Sequence, residues 1–408
     1  MSRRLAMVEL FGHREPRLLV AGQTISMFGD GVANVALTLL VLDTTHSVSK
    51  LAWFATARMI PLVALLLVGG AIVDRHARRT LLLISDLARA ALTGGLVVLL
   101  VTGSLRFWHL LVFAVLFGTF DAIFTPAMSA MTPEIVPEHL LGAMNAVRPL
   151  SSNVVGNMIG PAVGGLVTAW SATAAISIDA ATFLLSAGAL VLMHPTPTPV
   201  RSAATSMIHE IKEGVGYVRA TIWIWTTLLA VTLSNALLFV PTFVLVPFML
   251  RHNFHASKFT VGLFFAASGL AGGIGALVSG SSAIPRRRIR AMFTAWTAAS
   301  AVMLVFGVVT RSWEVFIVPL VTTPGILYGN VIWESMLQAV VPRELLGRVS
   351  SVDWFVSLGL APVGLVIAGY ASSLIGVRTY FVIAAIVATA PGLFILGSRR
   401  INAIDAGR

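Results

Sequence analysis

Cysteine is absent from the 408 residues, which excludes a disulfide framework, a thiolate metal site and a cysteine nucleophile. Charge is scarce too. Only 11% of the chain is Asp, Glu, Lys or Arg, against roughly a quarter in an ordinary soluble domain. Most of the polar coat of a water-soluble protein is therefore missing. No G-x-x-x-x-G-K-[ST] phosphate loop occurs and no polar stretch is long enough for a nucleotide domain, which argues against ATP as the energy source. None of the nine His residues falls in mid-span, so neither a histidine proton relay nor a metal site is expected. The first sixteen residues are polar, carry Arg3, Arg4 and Arg14, and lack a short apolar core with a cleavage site. No removable signal peptide is expected from them.

What the chain does contain is apolar. Hydrophobic residues make up 57% and the mean hydropathy is +0.90. Runs of about 20 apolar residues, each able to cross ~30 Å of hydrocarbon, recur near 17–43, 51–73, 80–102, 108–131, 143–170, 173–193, 222–250, 259–282, 291–310, 313–338, 349–373 and 377–398. These runs are too long for barrel strands and none alternates. Backbone groups in lipid must bond within their own segment, so the prediction is an all-α membrane protein with twelve transmembrane helices. The net charge of +11 reads as a topology signal rather than a nucleic-acid footprint. The amino terminus, the loops 74–79, 132–148, 194–221, 285–290 and 339–348 and the carboxyl tail hold 20 Lys and Arg, while the opposite loops hold 6. The positive-inside rule predicts a multi-pass protein of the cytoplasmic (inner) membrane with both termini in the cytoplasm.

The longest polar connection, 194–221, ends in HEIKEGVGYVRA and predicts a linker with a short amphipathic helix between bundles 1–193 and 222–408. VPEHLLG at 136–142 answers VPRELLG at 341–347, an offset of 205. This register aligns Asp30 with Asn235, Arg148 with Asp353 and Gly164 with Gly369. Two pseudo-symmetric six-helix bundles, with a cavity between them near the midplane, are the expectation for such a parallel repeat.

Carboxylates inside spans are costly and mark candidate sites. Asp30 lies in the first span on a stripe with Gln23, Asn34 and Thr38. Asp121 is similarly deep in the fourth, followed by Thr125 and Ser129. The tenth span carries Asn330, Glu334 and Gln338, and the seventh carries Asn235 and then Thr242. Burial disfavours the charged form of a carboxylate, so such groups can exchange a proton during transport. Asp30 is the first candidate proton carrier and Asp121 the second. Asp86 and Arg89, at i and i+3, read as a structural ion pair, whereas Arg58, Arg148, Asp179 and Asp353 have no partner assignable from sequence. Phe28, Phe124, Phe239, Tyr328 and Trp333 are candidates for apolar walls or for ordinary packing.

Two further motifs have physical content. GAIVDRHARR runs from Gly70 to Arg79, with Asp74, Arg75, Arg78 and Arg79 at the membrane edge. GNMIGPAVGG places Gly156, Gly160, Gly164 and Gly165 around Pro161, giving a helix face without side chains and a missing N–H. Together they resemble the loop motif GxxxDRxxRR and the antiporter motif GxxxGPxxGG of the major facilitator superfamily. MFGDGVANVALTLLVLDTT (27–45), SDLARA (85–90) and LQAVVPRELLGRVSS (337–351) are similar to its drug-efflux branch, which includes macrolide and siderophore exporters.

The resemblance implies that spans one, four, seven and ten line the cavity and that spans five and eight pair through glycines, including Gly269/Gly273 and Gly272/Gly276. It also implies that Asp74 gates by facing the start of the eleventh span, where an anion meets a helix N-terminus. One departure matters. Neighbouring drug–proton antiporters carry an arginine in the fourth span, and here that span has Asp121 and no arginine. The expected function is proton-coupled export of drugs or other amphiphilic small molecules by a monomer, driven by the proton motive force without a cofactor. The alternatives are a nutrient symporter or facilitator of the same fold and a transport-dead sensor. An enzyme is not expected.

Overall fold

The computed structural model describes residues 3–65, 76–194, 207–281 and 285–398. Within them, twelve helical runs account for the apolar segments: Arg14–Thr45, Val48–Leu65, Arg78–Val101, Phe107–Ile135, 141–170, Ala172–Leu192, Ile222–Asn253, Lys258–Ser281, Arg288–Val308, Ser312–Val340, 343–375 and Val377–Gly397. They are numbered here as spans one to twelve. Two shorter helices accompany them, Arg3–Gly12 before the first span and Met207–Ala220 in the predicted linker. No strand occurs among the described residues.

Local chemistry sets the helix ends. His46 and His255 both take left-handed φ of 49°, one and two residues before a serine that caps the next helix. The Ser47 hydroxyl accepts from the Lys50 N–H at 3.3 Å, and the Ser257 hydroxyl accepts from Thr260 at 3.2 Å. A similar device therefore opens spans two and eight, five residues out of the 205-residue register. Ser171 caps the sixth span by accepting from Ala174 N–H at 3.1 Å. Its counterpart in the repeat is Gly376, which turns with a φ of 83°.

The fifth span is irregular. It runs as an α-helix over Leu141–Leu150, a π-helix over Ser151–Ile159 and an α-helix again over Gly160–Trp170. Pro161 has no N–H to give the carbonyls of Gly156 and Asn157, five and four residues earlier, and orphaned carbonyls away from water are costly. Glycines close over both. A Cβ on Gly31 of the first span would strike the Gly156 oxygen, and one on Gly269 of the eighth would strike the Asn157 oxygen.

The chain forms two compact units. One comprises Met1–His46, Ala57–Ala204 and Ser257–Gly269, and the other comprises Ser47–Thr56, Thr205–Ala256 and Leu270–Arg408. The start of the eighth span joins the first unit because Gly262 packs on Gly165, backbone to backbone. The start of the second span joins the other unit, where Ser49 donates to the Gly369 carbonyl at 3.0 Å and Thr56 donates to the Pro362 carbonyl at 3.3 Å. Each unit has its own apolar core. Leu10, Leu82, Met131, Leu140 and Met144 centre the first, and Ile224, Met292, Ile332 and Val349 the second. Large apolar side chains such as Trp170, Leu374 and Phe394 stay exposed, as a lipid-facing surface requires.

Candidate functional site

Four charged residues inside the spans of the first unit, Arg58, Asp86, Arg89 and Asp121, gather into one cluster. Gly118 brings the second and fourth spans into contact, since a Cβ there would collide with the Arg58 carbonyl oxygen. This places the Arg58 guanidinium 3.5 Å from Asp121, one turn beyond the glycine. From the third span, Arg89 reaches Asp86 at 2.6 Å and Asp121 at 3.7 Å. Arg89 is only 2% exposed, and its guanidinium also lies over the rings of Phe124 at 4.2 Å and Phe183 at 4.5 Å. Arg58 lies over Phe117 at 4.8 Å. The fourth span has no arginine of its own, and Asp121 meets two, from the second and third spans. Phe124, a candidate wall residue, supports Arg89.

Asp30 is half-buried on the first span, and the charges acting on it are those of Arg89, Asp121, Arg58 and Asp86. Its neighbour Gly29 lets the sixth span approach so closely that a Cβ would touch both Thr182 and the Asp179 carboxylate. Asp179 is 1% exposed. It is one of the residues, with Arg58, Arg148 and Asp353, that the sequence left without an assignable partner, although its stripe with Thr182, Phe183 and Ser186 has helical spacing.

The polar stripe of the first span does not meet one environment. Gln23 is buried and donates to Ser186 at 3.4 Å, so it joins the first span to the sixth. Asn34 is exposed, and Thr38 is buried with its hydroxyl donating to the Asn34 carbonyl at 2.8 Å. A helix of 32 residues passes several neighbours, so positions that share a face need not share surroundings. Thr125 is exposed and bonds back to the Asp121 carbonyl at 3.4 Å.

In the second unit, Asn235 stands where the repeat has Asp30, at the start of a π-helical stretch, Asn235–Phe239. Its amide donates to the Ser357 carbonyl at 3.0 Å. Asp353 accepts from Trp333 Nε1 at 2.9 Å and from the Ser357 hydroxyl at 3.1 Å, so Trp333 holds a carboxylate as well as packing. Asn330, Glu334 and Gln338 are exposed on the tenth span. A groove of about 460 Å³ lies elsewhere, between Arg287, Arg290, Thr294 and Tyr328.

Of the expected gating residues, Gly70, Asp74 and Arg75 lie outside the described residues. Arg78 forms an ion pair with Glu134 at 3.1 Å. Arg79 donates to the carbonyls of Leu190 and Val191 at 2.7 and 2.8 Å, and Arg14 donates to Leu192 at 2.8 Å. Two guanidiniums thus satisfy the open carbonyls at the end of the sixth span, where cations are favoured. At the start of the eleventh span, Arg348 pairs with Glu213 of the linker helix.

The glycine motif acts as a packing face. Gly160 and Gly164 abut the first span at Phe28 and Val32, and Gly165 abuts Gly262. The eighth span uses Gly262 and Gly269 for this contact, while Gly273 has open space about it. The expected Gly269/Gly273 pair is therefore corrected to a spacing of two helical turns.

Among the described residues, no group of three or more His, Cys, Asp or Glu is disposed to hold a metal ion. Long apolar helices with ion pairs sealed among them, on a duplicated plan, define a secondary transporter. The sequence model of the Major Facilitator Superfamily matches residues 19–357, and the chain belongs to that superfamily. It is 24% identical over 371 residues to Macrolide efflux protein A of Streptococcus pyogenes, covering 89% of this chain and 90% of that protein. It is 27% identical over 411 residues to the multidrug efflux pump Tap of Mycobacterium tuberculosis, covering 96% of each. Among solved structures, the nucleoside transporter NupG matches with a TM-score of 0.68 at 13% identity, over 92% of this chain and 98% of that one. A bacterial homologue of the iron transporter ferroportin in an inward-facing state matches with a TM-score of 0.65 at 17% identity, over 97% and 99%. At those identities the likeness is one of fold.

Proposed function

We propose that this transporter is a proton-coupled exporter of drugs or similar amphiphilic small molecules, working by alternating access as a monomer in the cytoplasmic membrane with both termini inside. The observation that carries the reading is the cluster around Asp30, in which four carboxylates meet two arginines within the spans of one unit. Excess acid in a low-dielectric setting can be balanced by a mobile proton. Asp30 is the half-buried acid of the group with no arginine of its own, and it is the proposed carrier. Asp121 is second, since both arginines hold it at 3.5 and 3.7 Å and its pairing can respond to the charge on Asp30. Asn34, Thr38, Thr125, Asn235, Asn330, Glu334 and Gln338 are proposed to meet cargo, with Gln23 supporting them from the first–sixth span contact. The membrane potential supplies about 2.3 kcal/mol per elementary charge per 100 mV. The likeness to macrolide and multidrug efflux proteins supports export over nutrient uptake.

The gating proposal gives Gly70, Asp74 and Arg75 a part alongside Arg78, Arg79 and the glycine face from Gly156 to Gly165. In an efflux-deficient host, the protein should lower accumulation of amphiphilic drugs, and an uncoupler should abolish the effect. In proteoliposomes, Asp30→Asn should abolish gradient-driven export while the protein stays folded. Coupled export at the wild-type rate in that variant would discard Asp30 as the carrier.

A further inference from the structure

We propose that Asp179 is a second proton-binding carboxylate, which shares one proton with Asp30 across the contact of the first and sixth spans. This rests on the proton-coupled reading above and extends it to a residue on another helix. Both arginines of the cluster are committed elsewhere: Arg89 to Asp86 at 2.6 Å and Asp121 at 3.7 Å, and Arg58 to Asp121 at 3.5 Å. Asp179 is 1% exposed, and neither of its oxygens has a hydrogen-bond partner among the described residues.

The Thr93 hydroxyl is close enough to act on Asp179, but both hydroxyls beside the carboxylate have their best hydrogen bonds to the backbone. Thr93 donates to the Arg89 carbonyl at 2.8 Å, and Thr182 donates to the carbonyl of Asp179 itself, also at 2.8 Å. A carboxylate with the Thr93 hydroxyl as its one neighbouring donor, and that hydroxyl already committed to a backbone carbonyl, is strongly disfavoured in a place closed to water. Its remedy is to carry its own proton, and that proton then needs an acceptor.

Asp30 fits that role. The Asp179 carboxylate lies against Gly29, the residue before Asp30. The charged groups facing Asp179 are Asp30 from the first span, Arg58 from the second and Arg89 from the third. Close acids of like charge titrate as a pair rather than singly. With one shared proton, the four acids and two arginines keep a single negative charge, and a second proton neutralises the group. The pair therefore alternates between one and two protons in each cycle.

The test uses the purified full-length protein and infrared detection of the carboxylic-acid C=O stretch, in water and in heavy water, across pH. Wild type should show a protonated-carboxyl band at neutral pH. Asp179→Asn, which resembles a protonated acid in shape and charge, should remain folded and lose the band. Asp30→Asn should keep the band at a shifted frequency. A band unchanged in Asp179→Asn overturns the site, and a band unshifted in Asp30→Asn overturns the sharing. If the bands behave as expected yet an uncoupler leaves export untouched, the exporter reading fails while the carboxyl pair stands. If export is proton-driven and wild type has no such band, the pair alone fails.

Discussion

Replacing Arg89 with Met tests whether the cluster is a connected set of charges. The guanidinium is 2% exposed, its partner Asp86 is 0% exposed, and the two meet at 2.6 Å. Removing one partner of such a buried pair costs about 3–5 kcal/mol because the other charge is left uncompensated. Loss of the contacts to Phe124 and Phe183, at 4.2 and 4.5 Å, adds about 0.5–2 kcal/mol each. Asp86→Asn alone should be milder, since Arg89 keeps Asp121 at 3.7 Å. The double variant Asp86→Asn/Arg89→Met should recover much of the loss, because it strands no charge on Asp86. Arg89→Lys should fall between, as an ammonium cannot reach two carboxylates and two ring faces with a planar fork. Thermal unfolding in detergent, followed by tryptophan fluorescence and size-exclusion chromatography, gives the double-mutant cycle. Strict additivity in that cycle, or an Arg89→Met protein as stable as wild type, would refute the reasoning.

The glycine face offers a paired comparison within one unit. A Cβ on Gly164 would lie 2.6 Å from the Val32 carbonyl oxygen, whereas one on Gly188 of the sixth span would meet nothing within 4 Å. Gly188→Ala should stabilise the protein by up to about 1 kcal/mol through helix propensity, and Gly164→Ala should destabilise it by about 1–3 kcal/mol through overpacking. Equal melting temperatures for the two variants would contradict the packing described. Lys258 at the start of the eighth span pairs with Asp43 near the end of the first at 2.7 Å. The pair is partly exposed, so it contributes at most about 1 kcal/mol. Lys258→Glu should change the export rate several-fold and Lys258→Glu/Asp43→Lys should restore it, whereas a double variant no better than the single would dissociate the pair from transport.

The helices were legible because their signal is local and long. Twelve runs of apolar residues can be met only by twelve helices once the backbone must satisfy itself. The half-chain repeat was legible in VPEHLLG and VPRELLG, and the structure adds the similar serine caps at Ser47 and Ser257. Asp86 and Arg89 could be paired because i and i+3 meet on a helix whatever surrounds them. Arg58 and Asp121 could not, since their meeting depends on how two spans cross at Gly118. Asp179 was visible as a carboxylate in an apolar run, but its company was hidden. Only the close approach permitted by Gly29 places it beside the first span. The stripe from Gln23 to Thr38 shows the opposite limit, because helical period fixes a face and says nothing of what that face meets. Gly262 escaped notice for want of a second glycine four residues on, whereas the contact repeats after seven.

The bend in the fifth span has a mechanical consequence. Its two donor-free carbonyls face the bare backbone of the first and eighth spans, where only weak Cα–H contacts hold them. Around these glycines the contact is backbone to backbone, and the first and fifth spans share a side-chain hydrogen bond one turn or more away, from Thr24 to Ser151 at 3.2 Å. Along the glycines themselves, little besides close backbone contact holds the two helices in register, so a small slip there would meet little resistance.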